Sequence, residues 1–409
     1  MPNDQLLDRY AELTVRSGVN IQPGQQLVVT APIEAVPLAR LVTEHAYRAG
    51  ASLVTVLYSD EQATLARFRL AGDDAFDVAP GWLFNGMAEA FKQGAARLAL
   101  VGDDPSLLSA QDPAKVARAN RARSVAYRPA LEYISGFAIN WSIVAFANPA
   151  WARAVFPGLP EAEAVEKLWE SIFAVTRTDR PDPVAAWKEH SEELNRRAAW
   201  LNAGRFSALR YSGPGTDLTL GLADDHKWLA AGGKAKNGVF CIANLPTEEV
   251  FTMPHKERVD GTVRSTKPLS YNGTLIDGIR VRFEGGRIVE AQADKGEDTL
   301  RSLLATDEGA SRLGEVALVP HSSPISQSGL LFQNTLFDEN AASHIAVGQA
   351  YPDTVSGGGR RPKEELARMG ANESVVHVDW MIGSQEIDVD GVREDGSTVP
   401  VIRGGEWAS

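Results

Sequence analysis

The sequence predicts an α/β N-terminal domain followed by an α+β C-terminal domain. Three observations carry this. Strand-like and helix-like segments alternate through the first third of the chain, the pattern of a parallel, doubly wound sheet. Beyond Phe206 the texture changes to short alternating strands joined by Gly turns. The length, 409 residues, suits two domains. The parallel sheet of the first domain is expected to be Rossmann-like in its winding.

The elements follow in order. "MPNDQLLDRYAEL" reads as an amphipathic helix with an acid near its start. "QQLVVTAP" is a strand, "EAVPLARLVTEHAYRAG" a helix ending at Gly50, and "ASLVTVLY" a second strand. A helix around "LFNGMAEAFKQG" leads to a third strand, "ARLALVGDD", and "AINWSIVAFA" is a fourth. No G-x-G-x-x-G and no P-loop follows any of them, so dinucleotide binding has little support. From about residue 160 to Gly204 the chain reads as a helical connector broken at "RPDP". This places the first domain at residues 1–205 and the second at 206–409. In the second, "ALRYSGPGTDLTLGL" and "GTLIDGIRVRFEGGRIVEAQADKG" read as antiparallel strands, and "GEDTLRSLLATDEGASRLG" as one or two helices.

Net charge is −12, which disfavours nucleic acid or an anionic membrane as partner, because phosphate binding needs clustered Lys and Arg. A single cysteine, Cys241, rules out an intrachain disulfide and a thiolate zinc site. The N-terminus lacks the basic and apolar regions of a signal peptide. No apolar run approaches the roughly 20 residues that span a bilayer. A cytoplasmic protein is the expectation.

The chemistry concentrates in the second domain. In "SVVHVDWMIGS", Val375, Val376, Val378 and Trp380 read as a β-strand that carries His377 and Asp379. Residues two apart in a strand point to one face, so imidazole and carboxylate stand side by side while Val376 and Val378 face the other way. Alone, the pair admits two readings, a buried hydrogen-bonded pair or a metal site. Three other stretches bear on the choice. "ANLPTEEVFTMP" sets Glu248 and Glu249 on a turn or short strand. "RLGEVALVP" carries Glu315 into an apolar strand. In "LFDENAASHIAVGQAYP", Asp338 is expected to cap a short helix, with Glu339 and His344 on or beside it and Gly348 ending it before Tyr351. Each stretch has a bland reading, as a solvated turn, a surface acid or a structural histidine. Together, imidazoles and carboxylates on rigid elements suit Zn²⁺, Co²⁺, Mn²⁺ or Mg²⁺. If Glu249, Glu315, Glu339 and Asp379 are all ligands, their four charges balance two divalent cations.

On "NLPTEEVFT", "LGEVALVP", "LFDENAASHIAVGQAY" and "NESVVHVDWMIGS", in that order, the sequence resembles the thermophilic-type metalloaminopeptidases, the group containing aminopeptidase T and aminopeptidase S. The resemblance covers essentially the whole chain. It implies that Glu249, His344, His377 and Asp379 are metal ligands, that Glu315 bridges two metals, and that Tyr351 stands at the metal centre. Glu339 matches a ligand in some descriptions of the family. The family pattern has Phe where this chain has Trp380. The resemblance further implies a homodimer with an internal cavity and peptide substrates with a free N-terminus. The expected reaction is metal-assisted hydrolysis, with Tyr351 at the oxyanion and a glutamate shuttling the proton. Glu248 is the candidate shuttle because it adjoins Glu249, and Glu315 is the alternative. A dipeptidase or another amidohydrolase would share this centre and differ in its pocket. His255 and His321, each next to a Pro, read as loop or supporting residues.

Overall fold

The computed structural model describes residues 3–230, 232–271 and 273–408; Met1, Pro2, Ala231, Asn272 and Ser409 lie outside the described residues. The chain divides into two compact units, Met1–Glu189 with Gly232–Pro246, and His190–Ala231 with Thr247–Ser409. The division falls within the helix Pro183–Gly204.

The first unit is α/β. Its five-stranded sheet is parallel throughout, in the order Asn244–Leu245, Trp141–Ala145, Ala96–Val101, Gln26–Pro32, Leu53–Ser59. The inner strands are apolar runs, and Leu27, Val28 and Val29 are all buried, as a strand covered on both faces requires. Helices Val36–Arg48, Gly81–Lys92 and Pro113–Ser135 follow the alternation. Phe84, Met87 and Phe91 from one helix pack with Ala130 and Ile134 from another and with Val28 of the sheet. The fifth strand comes from residues 232–246, far along the chain, and pairs with Trp141–Ala145.

Among the described residues, the second unit holds two large antiparallel sheets and a two-stranded ribbon, Leu269–Tyr271 with Thr274–Ile276, around one core. The larger has eight strands. The smaller has five, in the order His377–Met381, His344–Gly348, Leu313–Leu318, Val250–Thr252, Leu229–Ala230. Leu209, Tyr211, Leu220, Val259 and Phe283 of the larger sheet share a buried cluster with Val316, Leu318, Ile345, Val347, Val378 and Trp380 of the smaller. Each such side chain stabilises the fold by roughly 1.5–3 kcal/mol when fully buried. The smaller sheet therefore rests on the larger by one face, and its other face is available for chemistry.

Three expectations for local structure are corrected here. His344 lies on no helix; it begins the strand His344–Gly348. The preceding helix, Thr335–Asp338, is capped by Asn334, whose side chain accepts from Leu336 N. Asp338 instead closes the loop before the helix, accepting from Phe332 N and Asn334 N. The strand His377–Met381 begins two residues later than the valine run suggests, and Val375 is 83% exposed ahead of it.

Candidate metal centre

The smaller sheet sorts its residues by alternation. Ile345, Val347, Val378 and Trp380 enter the core, so His344, His377 and Asp379 take the opposite face. The strand of Glu315 reaches this register through a bulge. Leu313 pairs with Val347 and Glu315 with Ala346, which leaves Gly314 as the extra residue. Without the bulge, Leu313 and Glu315 would share a face. With it, Leu313 joins the core beside Val316, and Glu315 turns to the polar side. A glycine is needed there, because a Cβ on Gly314 would lie 2.4 Å from the carbonyl oxygens of Gly348 and Gln349.

Register then aligns the ligand types. Glu315, Ala346 and Asp379 form one cross-strand row, and Ala317, His344 and Met381 the next. The alanines leave room between the functional groups. Two triads of ligand atoms converge, Glu249–Glu315–His344 and Glu315–His377–Asp379, each within 4.8 Å. They share Glu315. His344 Nε2 lies 3.2 Å from Glu249 and 3.7 Å from Glu315. His377 Nε2 lies 3.5 Å from Asp379 and 3.6 Å from Glu315.

Backbone carbonyls orient both imidazoles. His344 Nδ1 donates to Ala342 O at 3.1 Å, and His377 Nδ1 donates to Gln349 O at 2.7 Å. A carbonyl only accepts, so Nδ1 carries the proton, and in the neutral ring Nε2 presents its lone pair to the carboxylates. This is how metal-binding histidines are held. Gly348, just before Gln349, has φ +103° and sits so close to the residue leading into the neighbouring strand that a Cβ would lie 2.0 Å from Val376 O.

Two buried polar atoms here, His344 Nε2 and Asp379 Oδ1, have no hydrogen-bond partner among the described residues. Buried polar groups are rarely left so, because the cost is about 1–3 kcal/mol each. A cation between them satisfies both, so the residues present fit a divalent metal.

The titration behaviour has the same origin. Burial raises the Glu315 carboxyl to about 7, with Asp379 adding to the rise and His344 opposing it. Burial, then the charges of Glu249 and Asp379, push Glu339 well above the usual range. Burial also works against ionisation of Asp379, but His377 and His344 outweigh it and hold that carboxyl low. Burial would lower both histidines. The neighbouring acids win, raising His344 well above its ordinary value and His377 to about 9. The cluster thus keeps protons wherever it lacks another cation.

The remaining predicted residues fall as follows. Glu248 and Glu249 precede the strand Val250–Thr252, and both are buried, not solvated. Glu339 begins a 3-10 turn, Glu339–Ala341, within electrostatic reach of the cluster but in neither triad. The Tyr351 ring tilts over His377, with centroids 4.7 Å apart. Tyr351 is 42% exposed as a residue, yet desolvation of its phenol beside the cluster, then the charges of Glu315, Asp379, Glu339 and Glu249, raise that phenol well above the usual range. Trp380 is buried in the core, away from the ligand face. His255 packs on Gly370, and His321 shares a hydrogen bond with Ser326; neither enters a triad.

Two supporting residues carry no separate signal in the reading above. Asn340, fully buried, accepts from Glu248 N through Oδ1 at 2.7 Å and reaches Glu339 Oε1 through Nδ2 at 3.4 Å. Its place between Glu339 and His344 was the available clue. His190 places Nε2 2.9 Å from Thr247 O and 3.4 Å from Glu248 Oε2. It comes from a helix distant in sequence, and no local pattern marks it.

The chain matches the thermophilic metalloprotease (M29) family over residues 3–407. It is 56% identical over 401 residues to aminopeptidase T of Thermus thermophilus, covering 98% of each chain. It is 48% identical over 402 residues to aminopeptidase 2 of Geobacillus stearothermophilus, covering 98% of this chain and 97% of that protein. It is 46% identical over 404 residues to aminopeptidase AmpS of Bacillus subtilis, covering 99% and 98%. The solved structure of wild-type AmpT from Thermus thermophilus matches with a TM-score of 0.94 at 55% identity, over 99% of each chain.

Proposed function

This chain belongs to the thermophilic metalloprotease (M29) family and is a peptide-bond hydrolase; we propose that it is an aminopeptidase whose site would hold two divalent cations, with Glu315 common to both ligand sets. Glu249 and His344 would hold one, and His377 and Asp379 the other, with Glu339 completing the cluster. The observation that carries the reading is the pair of orphaned buried atoms, His344 Nε2 and Asp379 Oδ1, each in one of two triads that share Glu315.

When bound, such cations supply Lewis acidity, which makes water more acidic and polarises a scissile carbonyl. The chain's own groups do the rest. Glu248, buried beside Glu249, takes a proton from the attacking water and returns it to the leaving amine. Tyr351, held protonated, donates a hydrogen bond to the developing oxyanion. Gln349 O and Ala342 O keep the two imidazoles in the ligating tautomer. The buried carboxylates favour a cationic partner, which suits a substrate carrying a free α-amino group.

The test is a pair of substrates and a chelator. Leucyl p-nitroanilide should be cleaved and its N-acetyl form left intact. Chelation should abolish cleavage, and Co²⁺, Zn²⁺ or Mn²⁺ should restore it. Equal cleavage of both substrates would replace the aminopeptidase reading with that of a broader amidohydrolase.

A further inference from the structure

Glu248 is fastened from both sides. On one side its backbone N–H donates to Asn340 Oδ1 at 2.7 Å. On the other stands His190, on the helix Pro183–Gly204. His190 Nε2 is 2.9 Å from Thr247 O and 3.4 Å from Glu248 Oε2. The carbonyl of Thr247 accepts only, so Nε2 carries a hydrogen whatever the charge of the ring. That one N–H spans the peptide carbonyl ahead of Glu248 and the carboxylate of Glu248 itself. The side chains are nearly out of solvent, 12% exposed for His190 and 4% for Glu248.

A glutamate has three rotatable bonds, and fixing them costs conformational entropy. A proton carrier that must find its rotamer at every turnover incurs that cost each time. An imidazole on a rigid helix, hydrogen-bonded to the Thr247 carbonyl and 3.4 Å from the carboxylate, narrows that search before the reaction begins. We propose that His190 is a positioning residue that aims the Glu248 carboxylate for proton transfer. The role rests on the reading of Glu248 as proton carrier. It assigns His190 no contact with substrate or metal. The competing role is purely architectural: His190 could tie its helix to the Thr247 carbonyl and leave Glu248 to orient itself.

Coupling separates the two. His190→Leu, His190→Gln, Glu248→Gln and the His190→Leu/Glu248→Gln double variant are made in the full chain. Each is loaded with Co²⁺ or Zn²⁺ and assayed on leucyl p-nitroanilide, with metal content and Tm measured alongside. His190→Leu should lower kcat by about 10–100-fold, the range seen when a supporting partner is lost, with KM and metal content unchanged. His190→Gln, which keeps an N–H donor, should recover part of the loss. The double variant should be no slower than Glu248→Gln alone, because a carboxylate that is gone cannot be misaimed. Losses that multiply in the double variant, beside a strongly impaired Glu248→Gln, would overturn the role of His190 alone. A His190→Leu defect fully accounted for by lost metal or lost fold would do the same. Glu248→Gln at wild-type kcat would overturn the reading of Glu248 itself, and the role of His190 with it.

Discussion

The two faces of the smaller sheet alternate residue by residue along the same strands, yet they contribute to opposite ends. On one face Val316, Ile345, Val347, Val378 and Trp380 join the shared core. On the other, Glu315, His344 and Asp379 are also buried, with His377 beside them. Burial of the first set holds the fold together. Burial of the second gathers like charges and leaves two polar atoms without partners among the described residues. The difference teaches that burial alone does not mark a core. On the proposed reading, a cation bound at the polar face would offset what its assembly costs the empty chain.

Substitutions on the two faces should therefore separate activity from stability. The largest expected effect is on the polar face. His344→Ala and Asp379→Asn should each lower kcat by more than the roughly 10–100-fold lost with a supporting partner. Metal content should fall with kcat, while the metal-free protein keeps its fold and loses less stability than a charge placed in the core would cost. Activity assays paired with metal analysis and metal-free melting curves check this. Unfolding on His344→Ala, with full metal in the surviving fold, would make the histidine structural.

Val378→Asp, one position from both His377 and Asp379, should do the reverse. An uncompensated charge in the core costs several kcal/mol. Denaturant unfolding should show a large loss of stability and soluble yield, with the folded fraction still binding metal.

Gly314→Ala sits between the faces. Its Cβ would meet two carbonyl oxygens at 2.4 Å, and overpacking of this kind costs about 1–3 kcal/mol. Since the bulge also turns Glu315, metal affinity should weaken together with stability. Metal titration and melting of this one variant should move in step. A stable Gly314→Ala with wild-type affinity would show that the bulge does not aim Glu315.

The smallest effect is on pH dependence. Glu315 is raised to about 7 when folded, against roughly 4.3 in an unfolded chain. Its contribution to stability is whole below the lower value and is lost as pH rises through the higher. His377, raised to about 9, adds the same sign between roughly 6.5 and its folded value. The metal-free protein should lose stability progressively from about pH 5 to pH 9. Bound metal favours ionised carboxylates and neutral imidazoles, so the holoprotein should lack this decline, and metal uptake near neutral pH should release protons. Melting curves across pH, with and without metal, measure it.

Much of this was readable in the residues because it is local. The helices and parallel strands of the first unit follow their hydrophobic periods, and the pairing of His377 with Asp379 follows from a period of two. Glu315 was marked as soon as an acid entered an otherwise apolar strand. What escaped depends on distant chain. His344 was expected on or beside a helix, because a short helix lies just ahead of it. Its strand exists through pairing with residues 313–317 and 377–381. Asp338 reads as a cap, yet Asn334 fills that place, and both are residues with acceptors suited to it. His190 lies far from Glu248 in sequence, and residues 232–246 cross to the first unit's sheet. Neither the helix period nor the strand period announces contacts of that range.

Whether one glutamate joins two metal positions is tested most directly by metal stoichiometry, from elemental analysis of the wild type and three variants. Wild type should carry two ions per chain, and Glu249→Gln and Asp379→Asn one each. Glu315→Gln, which removes a charge from both triads, should carry fewer than either. One ion per wild-type chain at full activity, or a Glu315→Gln variant that keeps both ions, would contradict the shared role of Glu315.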